Sequence, residues 1–182
     1  MIVTLIVACE IAFWVLLAAG LALRYGARRP RLGAAVLLCE PVLELVLLAV
    51  TAVDLKNGAE PDWKHGLAAV YIGFTVGLGH STITWADARV AHRFAGGPPP
   101  VKPPKYGKAR AVHEWRVAAR WTVAAATALA LLQAAVWYVG GDGDVSSLRS
   151  WQRTMLLVVG INLVIAASYT LFPKRARGPA SP

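Results

Sequence analysis

Acidic residues are scarce in this 182-residue chain: ten Asp and Glu stand against nineteen Lys and Arg, a formal charge of +9. Charged residues of either sign make up only 16% of the total against 57% hydrophobic, with a mean hydropathy of +0.51, which is too apolar for an ordinary water-soluble domain. The two cysteines, Cys9 and Cys39, both fall inside apolar runs, where thiols behave as small hydrophobes, so a structural disulfide is not expected. Among the four histidines only His80 lies clearly within an apolar run, which disfavours a haem held between two histidines of one chain. No lysine lies in any of these runs, and that removes a mid-membrane Schiff base. The sequence also lacks HExxH and any Glu-x-x-His pair, so no motif names a metal-dependent reaction.

What the chain has in abundance is apolar runs of spanning length, at about 2–23, 32–53, 67–85, 117–139 and 154–172. Backbone polar groups must be satisfied internally in lipid, so each run is expected to be a helix. The expected fold is all-α: a polytopic integral membrane protein, one five-helix bundle over residues 1–182 with no soluble domain. The first run has no basic segment ahead of it and a cluster of arginines behind it, opposite to a cleaved secretory signal, so it is expected to stay as a helix. Between the third and fourth runs a Pro-rich basic loop, about 94–108, contains Gly96 to Lys105, whose prolines forbid a helix and favour an extended spacer.

Charge asymmetry sets the expected orientation. Arg24, Arg28, Arg29 and Arg31 fill the first connection, Arg89, Arg93, Lys102, Lys105, Lys108, Arg110, Arg116 and Arg120 surround the third, and Lys174, Arg175 and Arg177 follow the last run. The alternate connections hold fewer bases and also Asp54, Glu60, Asp62, Asp142 and Asp144. The positive-inside bias then places the N-terminus outside and the C-terminus in the cytoplasm. The net positive charge reads as topology plus attraction to anionic lipid headgroups, with no need of a nucleic-acid partner. The Ala, Gly, Val, Pro and Arg bias suits a GC-rich bacterial genome and hence an inner membrane. Tyr25, Trp85, Trp115, Trp121 and Phe172 are expected to form one interfacial aromatic belt, and Trp63, Trp137, Tyr138 and Trp151 the other.

Carboxylates inside the runs are the candidate functional groups, because an ionisable residue within a span marks a site by default. They are Glu10, Glu40 and Glu44. Counting inward from the basic ends at about 1.5 Å per residue puts Glu40 and His80 both roughly 13 Å deep, and Glu44, Glu10, Gln133 and Asn162 at roughly 18 to 21 Å. A shared polar core at middle depth follows, with Gln133 and Asn162 as supporting interhelical polar groups. Glu40 and Glu44 are one helical turn apart, and Pro41 between them frees the carbonyl of Leu37, an oxygen-rich kink of the kind that makes cation sites in membrane proteins. Two neighbouring acids there need a cation or a proton. On the third run Gly73, Gly77, His80, Thr84 and Asp87 form one stripe at helical spacing. Its GxxxG segment allows close approach of another helix, of a second copy or of a membrane partner, and Asp87 is expected to pair with Arg89 at the interface.

Three functions fit. The first is a proton- or cation-linked transporter or channel-like protein using Glu40, Glu44 and His80, with Glu10 near the outer end. The second is a membrane-embedded enzyme in which Glu40, Glu44 and His80 hold a divalent metal ion. The third is a non-catalytic subunit or lipid-interaction protein acting through the Gly73/Gly77 face and the basic loop.

Overall fold

A computed structural model describes residues 2–94, 96–141 and 143–173, and for residues 2–7, 9 and 10 describes the backbone alone. Asp142 and the basic tail with Lys174, Arg175 and Arg177 lie outside the described residues. The described elements are all helical: α1 (Ile2–Leu21), α2 (Pro30–Leu37), α3 (Cys39–Lys56), α4 (Leu67–Phe94), α5 (Gly107–Val139) and α6 (Ser146–Leu171). A π-helical turn, Ala22–Gly26, continues α1, and a 3₁₀ turn, Trp63–Gly66, leads into α4.

Four segments, Pro30–Lys56, Trp63–Phe94, Gly107–Val139 and Ser146–Leu171, are each long and apolar enough to cross a membrane, and the 20-residue α1 is the fifth. The second expected run is two helices rather than one. A single residue, Leu38, at φ −72° and ψ −14°, separates them, next to Leu37, whose carbonyl the Pro41 ring cannot bond. The fourth run extends well beyond its apolar part: α5 has 33 residues, about 50 Å at the usual rise, against about 30 Å of hydrocarbon. Gly96 to Lys105 has no regular structure, as its prolines require.

Small residues set the spacing of the bundle. α5 packs along α4 on one side and α6 on the other, and α3 closes over α4 and α5. The core holds Leu48, Leu55, Leu132, Val139 and Leu148 among Ala52, Ala68, Ala69 and Ala135, with Ala125, Ala128 and Met155 as a second cluster. Alanines let backbones approach closely, which is what drives helix association where lipid is as apolar as leucine. The closest approach is between α4 and α5. A Cβ on Gly77 would lie 2.5 Å from the Arg120 carbonyl oxygen, and one on Gly73 would strike the Ala124 carbonyl. Gly73 and Gly77 of that GxxxG segment thus pack against α5 of the same chain. At the other tight crossing, α1 against α2, a Cβ on Gly33 would lie 2.7 Å from the Gly20 carbonyl oxygen.

Contacts at the two ends show the helices alternating in direction. At one end Lys56 of α3 lies 4.7 Å from the Tyr138 ring centroid of α5, and the Trp151 indole of α6 donates to the Trp63 carbonyl at 2.6 Å. At the other, Arg24 reaches Asp87 of α4, and the Trp115 indole of α5 donates to Thr170 Oγ1 of α6 at 3.0 Å. The outer surface is apolar: Leu156, Leu157, Ile161 and Val164 on α6 and Trp14 and Val15 on α1 are exposed. A face of this extent suits hydrocarbon and not water.

Candidate functional site

α3 carries the carboxylate pair. Its inward stripe runs Glu44, Leu48, Thr51, Ala52 and Leu55, all buried, and Glu40 lies one turn before Glu44 at the start of the helix. Glu44 is 5% exposed, and Glu40 is half-buried. One oxygen of each, Glu40 Oε1 and Glu44 Oε2, is buried with no hydrogen-bond partner among the described residues. Taking an ionised carboxylate out of water costs several kcal/mol even after relaxation, so the pair calls for a proton or a cation. Leu38, the single residue between α2 and α3, sits immediately before it in helical backbone, and its N–H still bonds the Ala34 carbonyl at 3.0 Å.

The remaining expected site residues are dispersed. His80 is on the exposed side of α4, and among the described residues no group of three or more His, Cys, Asp or Glu side chains is placed to hold a metal ion. The structure thus does not bring Glu40, Glu44 and His80 together as a ligand set. The Glu10 side chain lies outside the described residues. Gln133 accepts from the Gln152 amide of α6 at 3.0 Å. Asn162 instead donates to the Val158 carbonyl of its own helix at 2.8 Å, where one turn of helix offers an acceptor without any neighbour.

Asp87 is paired differently from expectation. Residues two apart on a helix point about 200° from one another, so Arg89 cannot easily meet it. Arg89 lies instead over the Trp85 ring at 4.0 Å. Asp87 takes a bidentate pair from Arg24 at the end of α1, with Arg24 Nε donating to Oδ1 at 2.9 Å, and the Tyr25 hydroxyl donates to the same oxygen at 2.9 Å. Arg24 also reaches the Pro30 carbonyl at 3.3 Å. Arg24 thereby ties the π-helical turn that follows α1 to both α2 and α4.

A second ion pair joins Arg110 and Glu114 on α5, where Glu114 is buried and Arg110 lies 4.9 Å from the Tyr169 ring centroid of α6. The i, i+4 spacing of Arg110 and Glu114 is its sequence signal. His65 is buried as well: its Nδ1 accepts the Asp62 amide at 2.8 Å and closes the 3₁₀ turn, a structural part. At the neighbouring connection of the same end the Ser146 backbone amide donates to Asp144 Oδ1 at 2.7 Å, and this bond holds the Asp144 carboxyl below its ordinary value.

An alternating helical bundle with an apolar outer face, an alanine-lined interior and interfacial arginines defines a small multi-pass integral membrane protein. Along 97% of its length the chain is 35% identical over 178 residues to an uncharacterized membrane protein of Bacillus subtilis (strain 168), YmcC, covering 95% of that protein. The chain belongs to the family of that bacterial membrane protein. No family model matches it, and no solved structure does.

Proposed function

We propose that this protein carries protons or a small cation across the membrane, with Glu44 and Glu40 as the exchanging carboxylates. The observation behind this reading is the pair of buried oxygens on α3, just after Leu38, that have no hydrogen-bond partner among the described residues. A structural hydrogen bond would occupy those oxygens, whereas an exchanging acid must keep one free to take up and release its ion. His80, exposed on α4, stands apart from this pair, and among the described residues no third His, Cys, Asp or Glu joins the two carboxylates as a metal-ligand set. In proteoliposomes holding a trapped pH-sensitive dye, an imposed pH gradient is expected to collapse faster with wild-type protein than with Glu44→Gln, by about tenfold or more, as loss of the titrating group requires. Sodium or potassium flux measured in the same vesicles tells a proton from a cation. Equal ion fluxes for wild type and Glu44→Gln, with the variant correctly folded, would sink the reading.

A further inference from the structure

At the end of the bundle that carries the Pro-rich linker, a groove of about 350 Å³ opens between α4 and α5, lined by Leu78, Ser81, Thr82, Trp85, Val117 and Arg120. Its composition is divided. Leu78 and Val117 give an apolar floor, while two hydroxyls, an indole and a guanidinium form the polar part. Arg120 is exposed into this space, and the ion pairs formed among the described residues, Arg24 with Asp87 and Arg110 with Glu114, leave it no carboxylate. It lies one turn inside the apolar run that begins at Val117, where a guanidinium without a counter-ion is poorly solvated.

The walls are fixed in place. The Arg120 backbone is held against α4 by the contact of its carbonyl with Gly77, and the Trp85 indole has Arg89 at 4.0 Å, which brings a second cation beside the same wall. Ser81 donates its hydroxyl proton to the Leu78 carbonyl at 2.8 Å and is left as an acceptor, whereas the exposed Thr82 hydroxyl is available to donate. A planar guanidinium with a hydroxyl donor nearby matches a phosphodiester oxygen pair, and an arginine does this bidentately. The apolar floor of the groove suits the glycerol and first methylenes of an acyl chain, which free phosphate does not have.

We propose that this groove binds the phosphate of an anionic phospholipid, with Arg120 as the principal ligand, Thr82 and Trp85 at its rim, and the lipid backbone over Leu78 and Val117. The site is separate from the carboxylates of α3 and stands whether or not they move ions. The test is native mass spectrometry of the delipidated full chain titrated with phosphatidylglycerol, phosphatidylcholine or inorganic phosphate. Phosphatidylglycerol is expected to be retained over phosphatidylcholine, and Arg120→Gln to weaken that retention about tenfold, the scale of one charge-assisted bidentate contact. Thr82→Val should weaken it less, and Arg116→Gln, which removes an exposed arginine outside the groove, should leave it unchanged. Equal losses in Arg116→Gln and Arg120→Gln would mean general attraction to charge and overturn the proposal. Displacement of the lipid by millimolar inorganic phosphate would overturn it as well, in favour of a site for free anions. Arg120 is exposed, so its replacement is compatible with folding, and an unchanged unfolding temperature checks this.

Discussion

The pairing of Arg24 with Asp87 shows how a single interfacial charge organises three helices. The Arg24 side chain is 12% exposed and that of Asp87 41%, so water screens part of the attraction and the pair is worth less than a buried one. The geometry is nevertheless bidentate, with Tyr25 adding a third donor. In a double-mutant cycle with Arg24→Gln and Asp87→Asn, detergent unfolding is expected to give a coupling of about 1 kcal/mol; strictly additive effects would deny the latch. Sequence offered Asp87 as an interfacial acid but not its partner, because depth counting orders residues along each helix and is blind to rotation about the axis. The same blindness explains His80, level with Glu40 by count yet on the exposed side of α4. Glu40 and Glu44 were legible because their relation lies within one helix, where spacing alone fixes the shared face.

Elements show where a missing side chain is a structural requirement and where it is incidental. Gly77 has the Arg120 carbonyl where its Cβ would go, so Gly77→Ala must push α4 from α5 and is expected to destabilise by about 1 to 3 kcal/mol. Gly160 of α6 meets open space, so Gly160→Ala gains helix propensity and should raise the unfolding temperature, an effect of opposite sign from the same chemical change. Thermal unfolding of both in one detergent decides the matter, and a shared sign would contradict the packing described. The start of α6 responds to acid. Asp144 has its folded value lowered by the Ser146 amide, so the contribution of this bond is fully present above the ordinary aspartate value of 3.8 and is lost as pH falls through the lowered one. Hydrogen exchange at Ser146, corrected for intrinsic rate, is expected to lose protection in that acid window in wild type and to show no such step in Asp144→Asn. The helices themselves were legible as apolar runs, except at Leu38 and in the aqueous part of α5, where proline geometry and helix continuation override hydropathy.

On the scale of the whole molecule, the end contacts sort the connections into two sets, and the charges follow the same division. Arg24, Arg28, Arg29, Arg31, Arg89 and Arg93 share one end with the linker bases Lys102 and Lys105, while Asp54, Glu60, Asp62 and Asp144 lie at the other. Because α5 is about 20 Å longer than the hydrocarbon is thick, its basic N-terminal turns project beyond the membrane at the linker end. Moving that much positive charge across the bilayer during insertion is unfavourable, so the linker end is expected to face the cytoplasm and the N-terminus the outside. With Cys9 and Cys39 replaced by Ser, Asn57→Cys should react with a membrane-impermeant maleimide in intact cells, and Lys102→Cys only after permeabilisation. The reverse pattern would invert the molecule. It would also place the Arg120 groove in the outer leaflet and reverse the side from which an ion reaches Glu40 before Glu44, so orientation fixes the direction in which both proposed sites must be read.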